Sequence, residues 1–157
     1  MNKPYKISEI VFKNIATLGF IGYLPIAPGT WASAIGVLIF LIFNISLHVQ
    51  FLLICILTVI GIVSSTIAER IIGQKDSGHI VIDELLGYLI SVFSLPINYA
   101  ILIAAFFLFR FFDILKPFPI RLIEKKLDGG HGIIMDDILA GIYTNLILQG
   151  YFIFYGY

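Results

Sequence analysis

The sequence predicts an all-α integral membrane protein. One helical bundle, with about three full spans plus a re-entrant or shallow helical hairpin, fills a single domain over residues 1–157. Hydrophobic residues make up 59% of the chain, above the roughly 45–50% of soluble domains. Charged residues make up 13%, about half the usual ~25%. The charges are also segregated. No Asp, Glu, Lys or Arg occurs between Lys13 and Glu69, from Leu85 to Phe109, or from Ile138 to Tyr157.

A span needs roughly 20 apolar residues, because a helix rises ~1.5 Å per residue across ~30 Å of hydrocarbon. The first charge-free stretch is too long for one crossing. His48, Val49 and Gln50 form its polar break, which predicts helices at about 31–47 and 50–69 joined by a short loop. Before Trp31 the chain holds too many glycines and prolines for a regular span. The second stretch has Pro96 near its middle and Asn98 close by. Lys3, Lys6, Lys13, Arg70 and Lys75 lie on one side of the first hairpin. A single crossing after Leu85 would put Arg110, Lys116, Arg121, Lys125 and Lys126 on the other side. Two short helices, about 83–95 and 98–115, turning at Pro96, keep all of these on one face, as the positive-inside rule requires. The last helix, about 136–156, then crosses outward, and Tyr151, Phe152, Phe154, Tyr155 and Tyr157 suit the far interface. Small residues at Ala140, Gly141, Gly61, Ser64 and Ser65 allow close helix approach in lipid.

Several classes are excluded. The formal net charge is zero, and there is no basic patch or finger motif, so no nucleic-acid partner is expected. Cys55 is the single cysteine and reads as a small apolar residue. Glu9 among the N-terminal lysines, followed by Gly19, Gly22, Pro25 and Pro28, does not read as a cleaved signal.

Charge at membrane level tends to be functional because it is expensive to keep there. Asp83 and Glu84 open a predicted helix. One acid suffices as a cap or dipole partner, which leaves the other for a cation. Arg110, Asp113 and Lys116, spaced by three, form one polar stripe that Pro117 and Pro119 end. A carboxylate between two cations suits a phosphate site, the acid holding a metal and the cations holding phosphate oxygens. In Gly129-Gly-His131-Gly-Ile-Ile-Met-Asp136-Asp137 a glycine-rich turn leads to a second acidic pair at a helix start. Oxygen ligands of this kind suit Mg²⁺. In Gly22-Tyr-Leu-Pro-Ile-Ala-Pro-Gly-Thr30, Pro28-Gly29 reads as a turn and Thr30 as a cap, with free N–H groups able to receive a phosphate. His79 and His131 are candidate proton carriers. His48 belongs to the opposite loop.

Taken together, four segments resemble the phosphatidylglycerophosphatase A family: Gly22–Thr30, Ile80-Val-Ile-Asp-Glu84 with Gly87, Phe109-Arg-Phe-Phe-Asp-Ile-Leu-Lys-Pro-Phe-Pro-Ile120, and Gly129–Gly141. They occur in the family's order and span most of the chain from Gly19 to Gly141. The resemblance implies a multi-pass enzyme of the bacterial inner (cytoplasmic) membrane, with its active site on the cytoplasmic face. Its one domain would be a phosphatase domain. It would hydrolyse the terminal phosphomonoester of phosphatidylglycerophosphate to phosphatidylglycerol in phospholipid biosynthesis, using Mg²⁺. Carried over by position, the metal candidates are Asp83, Glu84, Asp113, Asp136 and Asp137, and the phosphate-side candidates are Arg110, Lys116 and Thr30. Asp83, Asp113, Asp136 and His79 are the catalytic candidates.

Two other readings use the same residues. Ser77-Gly-His79 is shared with metal-independent lipid phosphatases that use a histidine nucleophile, but their upstream and downstream motifs are missing here. A small transporter or ion-binding subunit would place its acids at mid-span, whereas these fall at predicted helix ends.

Overall fold

A computed structural model describes residues 6–155, apart from the side chain of Lys125. Lys3 and Tyr157, used above to argue orientation, lie outside the described residues. Every regular element described is helical. Helix α1 covers Ile7–Ala16, and a single 3-10 turn follows at Ile21–Tyr23. Then come α2 (Pro28–Ile42), α3 (Leu47–Ile72), α4 (Ile82–Ser91), α5 (Tyr99–Leu115), α6 (Ile120–Lys126) and α7 (Gly130–Tyr155).

The predicted helices are all present, with shifted ends. Helix α2 starts three residues early because Pro28 occupies its first turn, where a missing N–H costs nothing. It ends at Ile42, so at 15 residues it is about 22 Å long, shorter than a full span. Helix α3 begins before the expected break. His48 and Gln50 lie in its first turn rather than in a loop. Gln50 is buried, donates to the Ile45 carbonyl at 3.0 Å and accepts from the Ser94 N–H at 3.4 Å. A polar residue read as a solvent-facing break is therefore an internal tie. Helices α1 and α6 were not anticipated. Both are short, and their few turns give a weak periodic signal.

Among the described residues two helices, α3 and α7, are long and apolar enough to cross a membrane. Their most apolar windows are only 22% buried, whereas the core helix of a soluble protein is mostly covered. The exposed side chains include Val59 on α3, Phe107 on α5, and Ile153 and Phe154 on α7.

Helix α4 is the centre of the bundle. Leu86, Gly87, Tyr88 and Leu89, four consecutive positions that go round the helix, are all buried, because α2, α3, α5 and α7 all pack against it. Contact with α7 is backbone-close. A Cβ added at Gly141 would lie 2.4 Å from the Gly87 carbonyl oxygen, so the small residues act as expected.

The α4–α5 hairpin turns between Ser91 and Asn98, around Pro96, as the sequence predicts. Its end carbonyls need partners away from water. Asn145 of α7 donates to the Ser91 and Phe93 carbonyls at 3.2 and 2.8 Å. The Tyr88 hydroxyl donates to the Leu102 carbonyl at 3.0 Å. Asn98 caps α5 by accepting from the Ile101 N–H at 3.0 Å.

Candidate active site

The acidic and basic residues singled out above meet where the N-termini of α2 and α4, the C-terminus of α5 and the first turns of α7 converge. Asp83 and Glu84 sit in the first turn of α4. They do not face different ways, as expected for one cap and one spare ligand. Both turn into the same space, where one oxygen from each lies within 4.8 Å of the other and of an Asp137 oxygen.

Asp136 and Asp137 are not at a helix start. Helix α7 begins six residues earlier, at Gly130, so the pair lies in its second turn. The glycines before it serve packing rather than a flexible turn. A Cβ at Gly130 would lie 2.1 Å from the Ile62 carbonyl oxygen of α3. Gly130 also meets Thr66, and since α3 continues from there to Ile72, α7 starts roughly 9–15 Å short of the end of α3. The acids are recessed inside the bundle.

The acids then divide. Asp83 Oδ1, Glu84 Oε2 and Asp137 Oδ2 are buried without a hydrogen-bond partner. Buried carboxylate oxygens left this way carry a large desolvation cost, and three of them converging fit a hard cation with oxygen ligands. Asp113 and Asp136 are held by cations instead. Arg110 Nη1 lies 2.7 Å from Asp113 Oδ2 and 3.8 Å from Glu84 Oε1. Lys116 Nζ donates to Asp136 Oδ2 at 2.7 Å and to Glu124 Oε1 at 2.8 Å.

The expected stripe of Arg110, Asp113 and Lys116 is broken at its end. Lys116 caps α5 in the left-handed region, at φ 44°, which swings it off the helix and toward α7. Burial works against its charge, but the hydrogen bonds it donates to Asp136 and Glu124 outweigh this and hold its pKa above the ordinary lysine value. Glu124 was not singled out in the sequence. It lies in a basic run on α6, and only the fold brings it to Lys116.

Thr30 does not cap α2. Ala27 holds the cap position, at φ 48°, and Thr30 lies inside the first turn. Gly29 is the informative residue there. A Cβ at that position would lie 1.8 Å from Glu84 Oε1, so only glycine lets the start of α2 pass over the acid cluster. His79 is exposed, stacks on Tyr23 with ring centroids 4.8 Å apart, and has Nδ1 2.7 Å from the Gly22 carbonyl oxygen. It joins the N-terminal segment to the loop before α4. His131 is exposed on the first turn of α7.

Two openings flank the site. A cavity of about 470 Å³ is lined by Glu69, Lys75, Asp76, Glu124 and Asp136. At its rim Lys75 Nζ lies 2.5 Å from Asp128 Oδ1. A groove of about 560 Å³ is lined by Leu115, Lys116, Pro117, Phe118, Arg121 and Leu122.

The chain is similar to known proteins over most of its length. The family model for phosphatidylglycerophosphatase A matches residues 14–152. A phosphatidylglycerophosphatase A of Haemophilus influenzae is 38% identical, covering 94% of this chain and 93% of its own. A Bacteroides thetaiotaomicron protein described as "Putative phosphatidylinositol-3-phosphatase" is 37% identical, over 81% of this chain and 84% of its own. A phosphatidylglycerophosphatase A of Escherichia coli is 34% identical, over 98% and 85%. No solved structure matches the chain significantly. The chain belongs to the phosphatidylglycerophosphatase A family and is a phosphoric monoester hydrolase.

Proposed function

We propose that this protein is a Mg²⁺-dependent phosphatidylglycerophosphatase of the bacterial inner membrane, removing the terminal phosphate of phosphatidylglycerophosphate at the cytoplasmic face. The observation that carries the reading is the cluster of buried, unpartnered oxygens on Asp83, Glu84 and Asp137 beside the Arg110 guanidinium. Asp83, Glu84 and Asp137 would hold the cation. When bound, such an ion supplies charge neutralisation at the transferring phosphoryl group and an acidified water.

The other residues bind and orient. Arg110 has its Nε without a hydrogen-bond partner, and the guanidinium is the group that would receive the phosphate oxygens. Asp113, at 2.7 Å, fixes the guanidinium in place. Lys116 supplies a second cation and keeps its charge through Asp136 and Glu124. Water is the nucleophile in this reading. His79 has one ring nitrogen committed to Gly22 and its face to Tyr23, which favours the metal route over a histidine nucleophile. Similarity to the relative described as "Putative phosphatidylinositol-3-phosphatase" supports a reading in which the same site chemistry serves different phosphorylated headgroups and selectivity lies in the surroundings of the site.

Release of phosphate from phosphatidylglycerophosphate by the purified protein should stop with a chelator and return with Mg²⁺. Full turnover after exhaustive chelation would exclude the metal and return the histidine route to consideration.

For topology, α2, α3 and α7 are read as the crossings and the α4–α5 hairpin as re-entrant, with Lys75 and Arg121 in the cytoplasm. In a Cys55→Ser background, a cysteine at His48 should react with an impermeant thiol reagent in cells whose outer membrane is permeabilised. Cysteines at Lys75 and Arg121 should react only after the inner membrane is opened. Labelling at Arg121 with the inner membrane sealed would sink the re-entrant hairpin.

A further inference from the structure

The two openings beside Lys116 differ in charge, and that difference bears on the substrate. The cavity has Glu69, Asp76, Glu124 and Asp136 in its wall against the single cation Lys75, which Asp128 pairs. The groove has no acid in its lining. Its charged residues are Lys116 and Arg121, and the rest are Leu115, Pro117, Phe118 and Leu122. Leu115, Phe118 and Leu122 are exposed, at 52%, 81% and 43%. Arg121 has no ion-pair partner among the described residues. The only hydrogen bond its side chain makes there is a long one, 3.5 Å, to the Leu115 carbonyl. The groove wall is fixed from behind by the Tyr143 hydroxyl, which donates to the Phe118 carbonyl at 3.0 Å. An available guanidinium over an apolar wall is complementary to an anion attached to a hydrocarbon chain.

We infer that this groove seats the bridging phosphodiester and an adjoining acyl chain of the phospholipid substrate, with Arg121 as the residue that binds the diester. This rests on the lipid phosphatase reading above. A phospholipid with a phosphorylated headgroup carries two phosphates, one a diester next to the diacylglycerol and one a terminal monoester. Lys116 lines the groove, and its ammonium is bonded to Asp136, the neighbour of Asp137. The diester at Arg121 therefore leaves the monoester on the side of Arg110 and the acid cluster. The cavity with four acids and one lysine in its wall is the less favourable seat for a lipid anion, so the groove is the side from which the lipid approaches.

The test uses the full-length protein in mixed micelles, with phosphatidylglycerophosphate as substrate and phosphatidylglycerol as competitor. Phosphatidylglycerol keeps the diester and the chains but lacks the monoester. Arg121→Gln should raise both the KM for the substrate and the Ki for phosphatidylglycerol about tenfold, equivalent to about 1.4 kcal/mol, with kcat within about twofold. Arg121→Lys should recover part of both. An unchanged Ki in Arg121→Gln, whatever happens to kcat, overturns the assignment. If the unsubstituted protein releases no phosphate, the functional reading falls and takes this inference with it. Hydrolysis with an unchanged Ki removes the inference alone.

Discussion

Two sets of carboxylates lie side by side in this bundle and differ in what they touch. Asp83, Glu84 and Asp137 converge with buried oxygens that no donor satisfies. Asp113, Asp136 and Glu124 each grip a cation, at 2.7, 2.7 and 2.8 Å. Neighbours in sequence fall into different sets, as Asp136 and Asp137 do. A paired acid in a poorly solvated place has its cost offset by its partner. The unsatisfied cluster has little such offset within the chain, only Arg110 at 3.8 Å from Glu84 Oε1, and keeping several like charges together is unfavourable unless a cation arrives. The difference separates residues that hold an ion from residues that hold Arg110 and Lys116.

The largest effect should come from the unpaired set. Asp137→Asn keeps the size of the side chain and removes its charge. Turnover should fall by more than about 100-fold, beyond the 10–100-fold typical when only an outer-shell partner of a metal ligand is lost, with the protein still folded in detergent. Near-normal phosphate release from this variant would erase the distinction between the two sets.

Gly29→Ala tests the same cluster from outside. A methyl group 1.8 Å from Glu84 Oε1 forces the carboxylate or the start of α2 to move, so activity should drop about tenfold or more, since small misplacements of catalytic groups are expensive. Raised Mg²⁺ should recover part of the loss. A Gly29→Ala protein with ordinary activity and ordinary Mg²⁺ dependence would show that Glu84 is not a ligand.

A smaller effect is expected from the paired set. Glu124→Gln leaves Lys116 with Asp136 alone. The expected outcome is a rise in KM of roughly three- to tenfold with little change in kcat, as for a residue that positions a binding cation. A kcat loss matching that of Asp137→Asn would move Glu124 into the ion-holding set.

Much of this was legible along the chain. The charge-free stretches mark where α2, α3, α5 and α7 lie, because hydrocarbon tolerates few charges. Pro96 and Asn98 mark the hairpin turn. The acids and bases of the site are recognisable because they interrupt so apolar a sequence. Other features left no local trace. Gln50 and Asn145 look like loop or surface polarity, yet each satisfies backbone groups of the α4–α5 turn. Gly29 looks like half of a tight turn, yet it clears Glu84.

The sequence by itself determined the helical, lipid-facing character of the protein and the list of residues able to do chemistry, since both follow from residue type and linear spacing. Only the tertiary structure decided which acids stay unpaired. That choice depends on Lys116 leaving the end of α5 at a positive φ to reach Asp136 and Glu124, and on α7 starting early enough to carry Asp137 down beside Asp83 and Glu84. Ion pairing acts over a few ångströms between segments far apart in the chain, and no spacing rule within one helix reports it.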